Sequence, residues 1–262
     1  MPLRSFLAKT LFGLLAVSLL VLNVISISAS AELSPNPLRS AAALAAEEIQ
    51  FTSREKRYDS KSPNYVVEVR YPEITGGDAG RGAKFNIEVN NLIAKRIALF
   101  KNEVAAVGQA GAGRCTLKID YHVTFSNGRL ISVAFPTDSL LTPSDHREHL
   151  TLCLTYDLQA GAGLSMADIF KPETDFLRIM AEYCIPRLTA QLGQSSNADW
   201  IKRGASATGE NYKVWNLTPG GIEITFDPDQ VAGPSAGVQQ VVVPFSRLRP
   251  LIATGSPVFA LT

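Results

Sequence analysis

The chain is poor in the residues that most often carry chemistry. Its 262 residues include three cysteines, three histidines, three methionines and two tryptophans. Three cysteines allow at most one internal disulfide, which excludes a scaffold built on disulfides. The spacing of Cys115, Cys153 and Cys184 matches no zinc motif. They read either as one bridged pair with a thiol left over or as three small buried residues. No charge of one sign predominates: the formal net charge is +1, which gives no electrostatic footing for nucleic acid or an anionic membrane surface. There is no internal repeat, no H-E-x-x-H, and no G-x-S-x-G nucleophile elbow. The glycine-rich "TGGDAGRG" at 75–82 is not closed by Gly-Lys-Ser/Thr, so it is not a phosphate-binding loop.

Long apolar runs are also missing, with one exception at the N-terminus. Arg4 and Lys9 precede an apolar run from Leu11 to Leu22, and Ala29-Ser30-Ala31 follows. That order predicts a secretory signal over residues 1–31. The run is short for a spanning helix, which needs about 20 apolar residues; an uncleaved signal is the one route by which this chain would meet a membrane. No cysteine stands near the cleavage point, which argues against a lipoprotein. Loss of Arg4 and Lys9 takes the formal charge from +1 to −1. The expected location is therefore exported, periplasmic or extracellular.

Residues 32–63 read as a lead-in segment, in which "NPLRSAAALAAEEIQF" forms a short helix or a loose spacer. Residues 64–262 read as one domain. "NYVVEVRYPEI" has strand composition. A helix follows over 83–107, with Phe85, Val89, Leu92, Ile93, Ile97, Phe100 and Val104 at helical spacing. Lys84, Glu88, Lys95, Arg96 and Lys101 are expected on its solvated side. "GQAGAG" breaks it. Asn127-Gly128 predicts a hairpin with a type I′ turn. In "HLTLCLTYDL", alternation puts Leu150, Leu152, Leu154 and Tyr156 on one face and Cys153 on the other. Ser165 with Asp168 predicts a capped turn, and Asp175 caps a longer helix that Pro186 should kink or break. "GQSSNADW" reads as a polar loop. "NYKVWNL" and "GIEITFD" are strands joined by "TPGG", and "VQQVVVPFSRL" is a strand running into a short helix. At least six strands with helices grouped between them predict an α+β fold, a mainly antiparallel sheet with helices packed against it.

Candidate site residues are few. "TPSDHREH", 142–149, offers Asp145, His146 and His149 as one carboxylate and two imidazoles, ligand types that suit zinc. Asp145–His146 or Glu148–His149 could also form an acid–base pair beside Ser139 or Ser144. The plain alternative is a polar turn held by His146. Asp227 and Asp229 flank Pro228, either as a calcium-binding pair or as a strand-ending turn. Tyr212 and Trp215, three apart in one strand, should face opposite sides, leaving one aromatic free to stack on a sugar or anchor a protein. His122 reads as a structural histidine on a sheet face.

"YPEI", "NGRLISVAF", "LTYDLQAGAGLSMADIFKP", "NYKVWNLTPGGIEITFDPDQVA" and "VVVPFSRL" together resemble the extracytoplasmic domain of unknown function at the C-terminus of RsiV-type anti-sigma factors, which also accompanies the catalytic domain of the peptidoglycan deacetylase PdaC. The resemblance runs from about Tyr65 to Leu251 and places His146 on the family histidine. Ser144, Asp145 and Arg147 depart from the family around it, as do Asp229 and Val238 in the later loop. It implies binding of a protein ligand, lysozyme, in the RsiV-type members. With about ten residues before the apolar run, a complete anti-sigma factor is not expected, nor is a deacetylase. The expectation is an exported, non-catalytic binding module of the cell envelope that takes a lysozyme-like protein or a peptidoglycan-type glycan, with no cofactor, no metal and no nucleic acid. The ligand-binding residues expected are Asp145, His146, His149, Tyr212, Asp227 and Gln230, on a surface combining the 144–149 loop, the 227–237 loop and exposed aromatic groups near Tyr212. The alternatives are an envelope hydrolase or metal-assisted enzyme using Asp145, His146 and His149, and a structural envelope protein.

Overall fold

The computed structural model describes residues 49–107, 113–142, 146–195 and 197–262. The signal and most of the lead-in fall outside them. Strands β1 (Gln50–Lys61) and β2 (Asn64–Thr75) form a hairpin in register from Gln50↔Thr75 to Lys61↔Asn64. The sheet therefore begins inside the stretch expected as a lead-in. β1 escaped notice because its side facing the protein carries long polar groups in place of apolar ones. Lys56 lies over the Tyr71 ring and donates to Asn90 Oδ1 at 2.6 Å, its stem covering apolar surface while its head finds a partner.

Helix α1 (Ala79–Val107) buries the expected stripe, with Phe85, Val89 and Phe100 fully covered. Arg96, expected in solvent, is buried with them. It donates to Glu103, to Glu148 Oε2 at 3.1 Å and to Ser139 Oγ at 3.3 Å. α1 is the crossover between β2 and β3 (Cys115–Ile119), and it makes theirs the sheet's parallel pair. β4 (His122–Ser126), β5 (Leu130–Leu141), β6 (His146–Asp157) and the short β7 (Ala162–Gly163) complete a seven-stranded sheet of order β1-β2-β3-β5-β6-β7, with β4 beside β5. The β4–β5 hairpin stands, but its turn is not type I′. Of the turn residues, Gly128 alone takes positive φ, while the Asn127 side chain accepts from the N–H groups of Arg129 and Leu130.

A second sheet of order β10-β9-β8 is built from β8 (Trp215–Thr218), β9 (Gly221–Phe226) and β10 (Gln239–Pro244). Around it lie α2 (Met166–Ile169), α3 (Phe176–Leu192), α4 (Ala198–Gly204) and α5 (Phe245–Leu248). Asp168 accepts from the Ser165 N–H and hydroxyl, and Asp175 caps α3 through the Arg178 N–H, both as expected. α3 continues through Pro186 without a break. α4, capped by Asn197, occupies the end of the stretch expected to be a polar loop.

The mixed, mostly antiparallel sheets with helices make this an α+β fold. The described residues form two apolar cores. One lies between α1 and the large sheet, and the other between the small sheet and its helices. β8 packs on the opposite face of the large sheet from α1. Cys115, Cys153 and Cys184 are all free thiols on β3, β6 and α3, so the one-disulfide alternative is not realised.

Candidate functional site

The small sheet covers only part of the large sheet's second face, and a groove lies where the cover ends. Strand alternation sends Pro136 and Asp138 of β5 and His149 and Thr151 of β6 to this face. Together with the Thr137 and Leu150 positions between them they make the floor. Pro228, Pro234, Gly237 and Val238, from the loop between β9 and β10, make the wall. The cavity holds about 240 Å³. Val238 is 44% exposed, leaving an apolar side chain open to solvent at the groove.

The wall is held firmly. Asp227 Oδ1 accepts the Thr151 N–H at 3.0 Å, tying the loop to the floor. Burial pushes the Asp227 carboxyl above its usual range, against the opposing pull of that hydrogen bond. Gln230 Nε2 donates to the carbonyls of Gly204 and Asn211 at 2.9 and 3.1 Å, and the Trp200 indole N–H donates to Asp229 O at 3.0 Å. Val231 is buried in the second core. Gly204 is required here, because a Cβ at this position would sit 1.8 Å from Gln230 O. Asp229 takes positive φ, 68°, at the turn.

The expected site residues divide accordingly. His149 and the 227–237 loop do come together. Asp145 lies outside the described residues, and His146 is described only as the first residue of β6, backbone-paired with Leu141. His149 Nδ1 is bonded to Asp138 Oδ1, its partner across the strands, with both groups more than half exposed. The alternative pair Glu148–His149 is not formed, because Glu148 points to the other face and pairs with Arg96. Ser139 also faces α1, so it offers His149 no nucleophile. Cys153, farther along β6, has its thiol pushed up by burial. Among the described residues no three His, Cys, Asp or Glu groups converge as metal ligands.

Tyr212 is corrected outright. It is 1% exposed, and its hydroxyl donates to Ala205 O at 2.8 Å. Trp215 is buried as well, so neither offers a free ring to a ligand. Residues 211–213 precede β8 and are not part of it, which voids the alternation from which one exposed aromatic was expected. Asp227 and Gln230 lie beside the groove but spend their polar atoms on β6, on the Asp227 N–H and on the Gly204 and Asn211 carbonyls. Sequence reasoning missed Asp138, Pro136 and Trp200. The first two needed the β5–β6 register, which runs across the undescribed turn at 143–145; Trp200 needed α4.

Among the described residues, two further hollows are larger. One of about 370 Å³ lies at the start of α1, where Asp78 already accepts the N–H groups of Gly80 and Arg81. The other, about 390 Å³, is an open charged surface over β1, β2 and β3.

Comparison with known proteins places this geometry. The chain is 24% identical over 195 residues to the peptidoglycan-N-acetylmuramic acid deacetylase PdaC of Bacillus subtilis (strain 168), covering 74% of this chain and 40% of that protein. Two crystal structures share the fold. A member of the DUF3298 family from Bacteroides fragilis matches with a TM-score of 0.55 at 13% identity, over 81% of this chain and 96% of that one. A DUF3298 family protein from Pseudomonas aeruginosa matches with a TM-score of 0.52 at 12% identity, over 79% and 94%. The stretch from α2 to α5 that supplies the groove's wall and its supports, residues 167–246, matches the model of the family described as "Protein of unknown function (DUF3298)".

Proposed function

We propose that this chain is an exported, non-catalytic binding module of the cell envelope, and that the groove between the β5–β6 floor and the 228–238 wall receives its ligand. The observation that carries this reading is the groove's construction. An exposed, mostly apolar cleft is edged by one Asp–His pair and walled by a loop anchored to the rest of the protein through Asp227, the Asp229 carbonyl and Gln230. Such a wall is ordered before binding, which lowers the entropic cost of association. The relative named as a peptidoglycan deacetylase supports a place in the envelope, as does the expected signal at 1–31. Among the described residues no helix is long and apolar enough to cross a membrane.

The lining favours a protein segment, with a lysozyme-like partner as in the RsiV-type domains, over a peptidoglycan-type glycan. Sugar rings are commonly held on exposed aromatic faces, and Tyr212 and Trp215 offer none. The test is binding of the purified exported chain to lysozyme and to soluble peptidoglycan fragments by calorimetry, with and without chelator. Val238→Asp puts a charge in the groove at an exposed position. It should weaken binding by about tenfold or more without moving Tm, since burying an unpaired charge costs well over 1.4 kcal/mol. Full binding by Val238→Asp and by His149→Ala would remove the groove as the site. Binding that needs a metal ion would favour the metal-assisted alternative.

A further inference from the structure

We propose that Arg187 and Arg247 form an oxyanion-binding site around Tyr183, apart from the groove and sharing no residue with it. α3 runs antiparallel to β10, and one face of α3 follows that strand. Gln191 near its end donates to Gln240 O at 3.1 Å. Arg187 and Tyr183 lie one and two turns earlier on the same face, where the chain leaves β10 for α5. There the Arg187 Cζ stands 3.4 Å from the Tyr183 ring centroid, and the Arg247 Cζ stands 5.9 Å from it.

Two cations thus share one ring, and among the described residues neither has a counter-charge. Arg54, Arg129 and Arg178 each pair with a carboxylate; among the described residues Arg187 and Arg247 pair with none. The nearest acid in sequence, Glu182, is held by Arg178 at 2.7 Å. Arg187 gives one N–H to Tyr183 O at 3.5 Å. Arg247 has no hydrogen-bond partner among the described residues. Both residues are exposed.

A guanidinium stacked on an aromatic ring keeps its in-plane N–H fork free and has fewer rotamers to lose on binding. The Arg187 fork, with the Arg247 guanidinium brought to the same ring from a different element, suits a phosphate or carboxylate oxygen pair, through charge-assisted hydrogen bonds. An oxyanion there would also relieve the repulsion between the two cations. The ligand class is therefore an oxyanion-bearing molecule, free or part of a larger ligand. Phosphate and carboxylate are separated by experiment.

The test is an NMR titration of arginine side-chain Nε–Hε signals in the full chain. Inorganic phosphate and, separately, acetate are added at ionic strength held constant with sodium chloride. The expected result is a saturable shift of Arg187 and Arg247 with at least one of the two anions, and the tighter arm identifies the preferred group. Arg247→Ala should weaken that binding by roughly fivefold or more, the loss of a charge-assisted contact. Arg247→Lys should recover part of it, and Arg203→Ala, on α4, should leave it unchanged. Both groups are exposed, so Tm should stay constant across the set. Shifts that rise linearly with anion, that appear equally at Arg203, or that survive Arg247→Ala would mean an adventitious ion only and would overturn the proposal.

Discussion

Two aspartates show how burial, which raises the pKa of both, is outweighed at one and prevails at the other. At Asp157, burial by itself would raise the pKa, but hydrogen bonds from Arg129 and from the Ala160 and Gln159 N–H groups outweigh it and hold the carboxyl below 3.8. At Asp227, burial wins and the carboxyl lies above 3.8. A depressed folded pKa contributes stability that is fully present above the unfolded value and lost as pH falls through the folded value. A raised one costs stability above the folded pKa, and that cost disappears as pH falls through it. Asp157→Asn should therefore destabilise the protein by about 1–2 kcal/mol at neutral pH, and the difference from wild type should fade below pH 3.8. Asp227→Asn keeps an acceptor for Thr151 and removes the buried charge, so it should be neutral or stabilising at neutral pH. Urea denaturation at a series of pH values checks both, and the same sign for the two variants at neutral pH would contradict the account. Gly204→Ala tests the wall. A Cβ 1.8 Å from Gln230 O forces α4 and the loop apart, and the urea midpoint should fall by the equivalent of about 1–3 kcal/mol or more.

At the scale of elements, the open part of the large sheet carries a cross-strand row of alternating charge. Arg57 lies opposite Glu68, Glu68 opposite Lys118, Lys118 opposite Asp138, and Asp138 opposite His149. Opposite charges facing each other across strands stabilise a sheet and like charges destabilise it. Lys118→Glu would place a carboxylate between two others. It should cost about 1 kcal/mol and diminish at high salt. Equal urea midpoints for wild type and Lys118→Glu at low salt would refute the row as a stabilising feature. The row also shows what was legible in the sequence. α1 and β6 could be read because apolar residues recur at the period of the element. β1 could not, since the row and its neighbours make one side charged while Lys56 and Tyr58 serve the other. Arg96 sits one turn from both Ile93 and Phe100, inside the stripe by geometry; only its charge argued for solvent, and the Glu103 and Glu148 partners were not visible from α1 alone. The groove was half legible. Its two chain segments were expected together, but the β5 floor depended on register across strands, and Tyr212 was misplaced because a turn was read as strand.

Over the whole molecule, the two cores are joined by a polar seam. Ser132 on β5 is fully buried, and its hydroxyl meets Asn216 Nδ2 at 2.9 Å, the Leu217 N–H at 3.0 Å and Thr155 Oγ1 at 2.8 Å. One oxygen thus fixes β8 against β5 and β6, and with it the position of the second sheet from which the groove's wall descends. A buried network of this kind specifies one arrangement, because any sliding of the sheets strands several donors at once. Ser132→Ala removes the shared partner and leaves the Leu217 N–H and the Asn216 amide unmatched. The expected cost is about 2–4 kcal/mol, larger than a methyl-sized change in either core would give. The manner of unfolding should change as well. In wild type both cores should melt in one transition, followed equally by tyrosine signals from the first core and tryptophan fluorescence from the second. In Ser132→Ala the two probes should separate, with a lower denaturant slope for each. Coincident transitions with an unchanged slope would mean that apolar contacts alone bind the two cores, and that the seam sets their register without coupling their stability.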